Sequence, residues 1–461
     1  MFPRKYPFRF SVVFFILISC LFYFSVKLVL IQVFRSSFLS DLAKKQHNHL
    51  IKLEPTRGTI YDRRKRPLAV NLPVYSLYAN PKIIKQKDKK RVEDFLIHAI
   101  GLDPQVVERQ LSKKKYFVWL VRKLPQAVYE KVKGQKIAGL GFIKESRRFY
   151  PNQSLAAHVI GFAGIDNNGL EGLELKLDHY LKGKEGYTQI LRDARQRELL
   201  IEKNYVAPQN GHNVVLTIDE TIQYIAERAL EKGFQKNNAR GASIIVMNPK
   251  TGEILAFANR PTYNLEQANQ SSAESRTNRA IVHTYEPGSV FKIVTAAAAL
   301  QENVIQETDV INCGYGSYKV ANHVLHDHHP EGNLTFREVI EKSSNIGTVK
   351  VAQKLGPQLI YQYAQKFRFG MKTNVDLLGE VEGVLKAPSQ WSKTSIGAIP
   401  IGQEVTVTAM QLLSAIAAIA NNGVYMKPFI VKPSRTSKEK SSNLSSRKLS
   451  TALLRKRRPD G

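Results

Sequence analysis

Cysteine is nearly absent. The two in 461 residues, Cys20 and Cys313, exclude a disulfide scaffold and a cysteine-based zinc module. Glycine and proline supply 28 and 20 positions, too few and too aperiodic for a fibrous protein. Acidic residues are scarce as well: 39 Asp and Glu face 68 Lys and Arg, a net charge of +29. What is present is a globular balance, 43% hydrophobic and 23% charged, which excludes a wholly disordered chain. The length corresponds to about three domains at roughly 150 residues each.

A chain this basic usually meets nucleic acid or anionic lipid. The N-terminus favours lipid. Phe10 to Val26 is an uncharged, mostly apolar run of 17 residues, and Leu28-Val29-Leu30-Ile31 continues it past Lys27 toward Phe34. About 20 such residues span a bilayer, and Lys27 can carry its amine to the interface. The run is longer than a signal-peptide core, and Val-Phe-Arg-Ser-Ser-Phe is a poor cleavage site. An uncleaved anchor over residues 10–34 is therefore expected. Arg4, Lys5 and Arg9 precede it, so the positive-inside bias places residues 1–9 in the cytoplasm and the bulk of the chain outside. Nucleic acid is then excluded as a partner. No basic run is interleaved with aromatics as a stacking platform would be.

Beyond the anchor, Arg57-Gly58 and Asp62-Arg63 bracket a short β-type run. A basic stretch from Lys82 to Arg91 opens a helix through Leu96 and reads as a solvated face. Gly169-Leu170-Glu171-Gly172-Leu173-Glu174 opens an amphipathic helix toward Leu181. His158 reads as a packed, satisfied side chain. Pro208 to His212 is a linker turn, Asn213 to Ile218 a strand, and Asp219 the cap of a helix reaching Leu230. Two β runs, Ala242–Met247 and Glu253–Ala258, flank Asn248-Pro249-Lys250-Thr251-Gly252, a hairpin turn. The expected domains are 35–210, 211–431 and a basic, serine-rich, disordered tail over 432–461. That tail holds ten Lys or Arg against two acids, +8 of the total charge.

The chemistry concentrates at Glu286-Pro287-Gly288-Ser289-Val290-Phe291-Lys292. Pro-Gly ends one segment, and an alanine-rich helix starts at or just after the serine. Positions i and i+3 share a helix face, so the Lys292 amine can reach the Ser289 hydroxyl. A serine needs an adjacent base to become a nucleophile, and burial or neighbouring positive charge turns a lysine into one. The helix start offers partial positive charge to a developing oxyanion. Ser-x-x-Lys occurs four times, but Ser112/Lys115, Ser437/Lys440 and Ser445/Lys448 lie in polar stretches and read as chance. A second element, Ser343-Ser344-Asn345, follows a helical run. Its hydroxyl could relay a proton and its amide hold a substrate amide, or it could simply cap a helix.

Order and spacing of these two elements resemble the serine acyl-transferases that react with penicillin. The surroundings resemble class B penicillin-binding proteins. Arg57 to Arg63, Arg148-Phe149-Tyr150-Pro151 with Ala156-Ala157-His158-Val159, and Gly169 to Glu174 are similar to that family's pedestal, or dimerisation, domain. Asn248 to Ala256 is similar to the opening hairpin of its transpeptidase domain. Asn278-Arg279-Ala280 before Glu286-Pro287-Gly288-Ser289 resembles the division-specific, FtsI-like branch. The resemblance implies an α+β fold, with an antiparallel sheet sandwiched by helices, on a membrane-tethered pedestal in the inner membrane. It implies Ser289 as acylated nucleophile, Lys292 as base, Ser343 as proton shuttle and Asn345 as peptide-binding amide. The implied reaction is penicillin-sensitive cross-linking of peptidoglycan stem peptides at D-Ala-D-Ala, without metal or cofactor. β-Lactams and division proteins such as an FtsW-like glycosyltransferase are the implied partners.

One element of the family pattern is not where it belongs. The family places Lys-Thr-Gly or Lys-Ser-Gly on the strand lining the site, after the nucleophile. Here Lys-Thr-Gly stands only at 250–252, in the hairpin turn, and reads as structural. Lys393-Thr394-Ser395 is not a substitute. The resemblance continues through Tyr425 and stops near residue 431, so an incomplete transpeptidase domain is expected, truncated or altered by a frameshift. Loss of one oxyanion donor costs about 10²–10³ in rate. The competing expectation is an inactive, membrane-anchored division scaffold. A β-lactam sensor or lactamase fits less well, since such a hydrolase has no use for pedestal and anchor. The cluster His323, His326, Asp327, His328, His329 could mimic a metal site but lies in a loop where the family carries such residues.

Overall fold

The computed structural model describes residues 7–36, 48–135, 137–192, 198–433 and 451–452. It comprises two compact units, Met1–Pro55 with Lys184–Asn210, and Thr56–Gly183 with Gly211–Gly461. Of the tail expected to be disordered, all but Lys432, Pro433, Thr451 and Ala452 lies outside the described residues, as do Ser437/Lys440 and Ser445/Lys448. Thr451–Ala452 pairs antiparallel with Val424–Tyr425.

In the first unit, the apolar run forms the helix Pro7–Val29, continued by a wider turn over Leu30–Phe34. The apolar span Ser11–Phe34 is 24 residues long, about 36 Å at 1.5 Å per residue and enough to cross a hydrocarbon core. A second part of this unit is an antiparallel sheet in which Gly186–Arg192 lies between Asn48–Leu53 and Glu198–Val206.

The second unit begins with a mixed sheet. Its long strand Pro67–Ala79 pairs along one edge with Leu140–Phe149, and along the other with Ile60–Tyr61 and then Val118–Leu124. The helices Gln86–Ile100, Pro104–Leu111 and Gln126–Lys133 cover one face through Leu77, Leu96, Val107 and Val132. Val214–Val215 joins the sheet in parallel beside Ile60–Tyr61. The expected strand Asn213–Ile218 is thus shorter in the ladder. Leu216 instead bridges Val431, and Thr217 N donates to the Ile430 carbonyl. The helix expected to open at Gly169–Glu174 and run toward Leu181 starts at Gly172 and is two short helices, Gly172–Lys176 and Asp178–Leu181, parted at Leu177 (φ −107°, ψ 17°).

Asp219 caps the helix Glu220–Lys236, accepting from Thr221 N and Ile222 N. Ala242–Met247 and Ile254–Arg260 form the expected hairpin, with Lys250-Thr251-Gly252 in its turn. A further core is mainly helical. The helix Lys292–Gln301 packs through Val294, Ala298 and Ala299 against Asn345–Leu355 and Pro357–Lys366. This arrangement of predominantly antiparallel sheets and segregated helices is α+β, as expected.

Candidate active site

Ser289 sits in a tight 3-10 turn, Gly288–Phe291, that runs into the helix Lys292–Gln301. Phe291 anchors the turn, fully buried with its ring 5.0 Å from that of Phe369. Ser289 itself is exposed, and its hydroxyl has no partner among the described residues. The approach to the turn is clamped by a second segment. Tyr285 and Val407 exchange backbone hydrogen bonds, and Gly288 N donates to the Gly402 carbonyl at 3.1 Å. The backbones meet so closely that a Cβ on Gly402 would lie 2.1 Å from the Gly288 carbonyl oxygen.

Lys292 is 3% exposed. Its amine donates to the Ser343 carbonyl at 2.5 Å and to the Ser343 hydroxyl at 2.9 Å. Burial lowers its pKa to about 8, against an upward pull from the Asp327 carboxylate. Helical spacing suggested that the amine would bond Ser289; in the resting structure it is held by Ser343 instead. A neutral amine has two N–H groups and one lone pair. With Ser343 taking both N–H groups, the lone pair remains.

Ser343 lies in a sharp connection between the helices Phe336–Glu341 and Asn345–Leu355, with φ +57°. A non-glycine residue in the left-handed region carries a backbone cost, and such residues gather at functional sites. Ser344 is the N-cap, accepting from Gly347 N at 2.9 Å. The capping alternative thus holds for Ser344, while Ser343 stays free to face Lys292. Asn345 donates its amide to the His326 carbonyl at 3.0 Å, which orients the group and leaves its oxygen available. The structure therefore brings Lys292 and Ser343 into direct contact, with Ser289 three residues before Lys292 and Asn345 at the start of the next helix.

Sequence reasoning missed Asp327 as a participant. Its carboxylate accepts from Ser344 Oγ at 2.6 Å, Asn345 N at 2.5 Å and Ile346 N at 3.0 Å. It thereby ties the hairpin Ser317–Val320/His323–His326 to the N-terminus of the helix carrying Asn345, where a carboxylate is favoured. Nothing local marks this aspartate, because its partners lie 17 to 19 residues away. Among the described residues, no three His, Cys, Asp or Glu side chains converge as a metal site would need. Cys313 is buried beneath the same connection; a Cβ on Gly347 would lie 3.2 Å from its sulfur.

Asp327→Asn tests this positioning role. An amide oxygen can keep the Asn345 and Ile346 N–H groups, but the amide nitrogen cannot accept from Ser344 Oγ, so the Ser343-Ser344-Asn345 connection shifts and acylation of Ser289 falls about 10²-fold. Loss of the negative charge also removes the upward pull on Lys292. The pH midpoint of the remaining reaction should move to lower pH, which a packing defect alone would not produce.

His158 is buried. Its Nε2 lies 2.8 Å from the Ser275 carbonyl, and burial lowers its pKa to about 4. It is a packed, satisfied histidine, as its apolar setting suggested.

Two family models match the chain: "Penicillin-binding Protein dimerisation domain" over residues 52–216 and "Penicillin binding protein transpeptidase domain" over residues 242–456. The chain is similar to the probable peptidoglycan D,D-transpeptidase PenA of Neisseria gonorrhoeae, 32% identical over 399 residues that cover 86% of this chain and 68% of that protein. It is also similar to the peptidoglycan D,D-transpeptidase FtsI of Escherichia coli, 32% identical over 83% of this chain and 65% of that protein. Among solved structures, a penicillin-binding protein in complex with MreC from Helicobacter pylori superposes with a TM-score of 0.72 at 24% identity. The match covers 85% of this chain and 79% of that one, and supports the fold.

Proposed function

The chain belongs to the class B penicillin-binding proteins, and from that membership we propose that it is a serine-type peptidoglycan D,D-transpeptidase of septal wall synthesis. The observation that carries the catalytic part is the buried Lys292 amine held by Ser343 one helical turn from the exposed Ser289. With a pKa near 8, a usable fraction of this amine is neutral at physiological pH.

The proposed sequence is as follows. Ser289 Oγ attacks the carbonyl of the penultimate D-Ala while its proton passes to the Lys292 lone pair. The backbone N–H groups that follow Gly288, at the start of the helical segment, would offer their partial positive charge to the oxyanion. Ser343 Oγ then delivers a proton to the departing D-Ala nitrogen and is re-protonated from Lys292. The C–N bond breaks, leaving an ester on Ser289. The Asn345 amide oxygen accepts from a stem-peptide N–H. An amine of a neighbouring stem attacks the ester, and the same groups return the proton to Ser289. A β-lactam enters by the same first step and stays as the acyl-enzyme.

The apolar helix supports anchoring in the inner membrane with the N-terminus cytoplasmic and the bulk periplasmic. An FtsW-like glycosyltransferase fits as a division partner of the pedestal. The experiment is to incubate the purified 461-residue chain and its Ser289→Ala variant with a fluorescent penicillin. Covalent label on the first and none on the second is expected. A second reading, the anchored scaffold without catalysis, draws on the position of Lys-Thr-Gly in the hairpin turn and the two-stranded sheet Ala242–Met247/Ile254–Arg260 among the described residues. Absence of label on the unmodified chain would favour it.

A further inference from the structure

Residues 82–91 hold five lysines and one arginine against one aspartate, and residues 112–117 add Lys113, Lys114 and Lys115 before Tyr116 and Phe117. From sequence, the first stretch is a solvated face and the second a polar stretch holding a chance Ser-x-x-Lys at Ser112/Lys115. The structure makes them one surface. Lys89 Nζ donates to Ser112 Oγ at 3.1 Å, and the Lys82 amine lies 3.8 Å from the centre of the Tyr116 ring. The N-terminal end of the helix Gln86–Ile100 and the loop after Pro104–Leu111 thus form one surface, on which residues 82–91 and 112–117 carry +8, or +7 with Glu93 included. The acidic groups there are few: Asp88 in the first helical turn, and Glu93, 3.8 Å from Lys89.

Apolar side chains stand out of the same surface. Ile83, Tyr116 and Phe117 are 50%, 46% and 42% exposed. Charge of one sign and uncovered apolar groups together ask for an anionic partner with an apolar layer. A polyanionic polymer makes no use of Ile83 and Phe117. A protein interface favours arginine and depletes lysine, whereas here eight lysines accompany one arginine. A bilayer surface uses both features: ammonium groups meet anionic headgroups, and aromatic and aliphatic tips enter the acyl boundary. We propose that this surface of the second unit docks on anionic phospholipid.

The test uses the full chain in nanodiscs of phosphatidylcholine alone and of equimolar phosphatidylcholine and phosphatidylglycerol, with amide hydrogen exchange followed over residues 81–91 and 112–118. Exchange should slow about tenfold in the phosphatidylglycerol discs only, and molar salt should reverse it. The variant carrying Lys113→Glu, Lys114→Glu and Lys115→Glu should lose the difference while penicillin labelling of Ser289 stays unchanged. Equal exchange in the two lipids overturns the proposal. So does slowing of the same size in both. Slowing by a soluble acidic protein but not by the anionic discs also overturns it, and assigns the surface to a protein partner.

Discussion

Lys292→Met is expected to lower the rate of penicillin acylation about 10³-fold while leaving the melting temperature unchanged or raised. The rate effect follows from removing the proposed general base, a role whose contribution is typically about 10²–10⁴. The stability effect has the opposite sign from most core substitutions. An amine at 3% exposure is held away from water, with Ser343 as its hydrogen-bonding partner. A methionine of similar length fills the same space without that desolvation. The unmodified chain should show a matching pH profile. Burial lowers the lysine pKa to about 8, and in the proposed mechanism the neutral form is the base. Acylation should rise tenfold per pH unit below that value and level off above it. Rate constants measured from pH 6 to pH 9 decide the matter: a flat profile, or a methionine variant acylating at the normal rate, would remove Lys292 from the mechanism.

The parts of this site that were legible in the sequence are those whose chemistry is local. Pro287-Gly288 before an alanine-rich run marked both the turn and the helix carrying Ser289 and Lys292. Asn-Pro-Lys-Thr-Gly marked the hairpin, and Asp219 marked a helix start, because turn and cap preferences act within a few residues. What the sequence did not disclose depends on long-range pairing. The strand Pro67–Ala79 contains Pro73, which argues against a strand interior. It pairs nonetheless, with Pro73 opposite Ser146. Asp327 reads as one of a group of histidines and acids until the fold sets it against Ser344 and Asn345. The choice of Ser343 over Ser289 as the resting partner of Lys292 is likewise tertiary. It depends on the left-handed turn at Ser343, which helical spacing around Ser289 cannot foresee.

The pedestal motifs were legible only as resemblance, and their physical content gives the second large expected effect: Glu174→Ala should destabilise the second unit by about 3–5 kcal/mol. Glu174 has no exposure. Its two oxygens accept from Arg57 Nε at 2.7 Å and from Arg148 Nε at 2.6 Å. Arg57 also donates to Asp178 and to the carbonyls of Asn167 and Glu174. Two buried guanidinium groups thus meet two carboxylates, and removing Glu174 leaves a net buried positive charge with no route to water. Asp178 is the control. It bonds the same Arg57, but its side chain is 28% exposed, so Asp178→Asn lets solvent screen what is lost. A Tm fall of about 10 °C for Glu174→Ala and a much smaller one for Asp178→Asn are expected. Equal falls would mean that the network is ordinary surface pairing. The consequence should reach the catalytic half, because Leu173 and Ile160 share one apolar cluster with Ile218, before the helix Glu220–Lys236, and with Ile254 of the hairpin. Penicillin labelling of the Glu174→Ala chain should therefore be retained in the cold and lost at the same lowered temperature at which the pedestal melts.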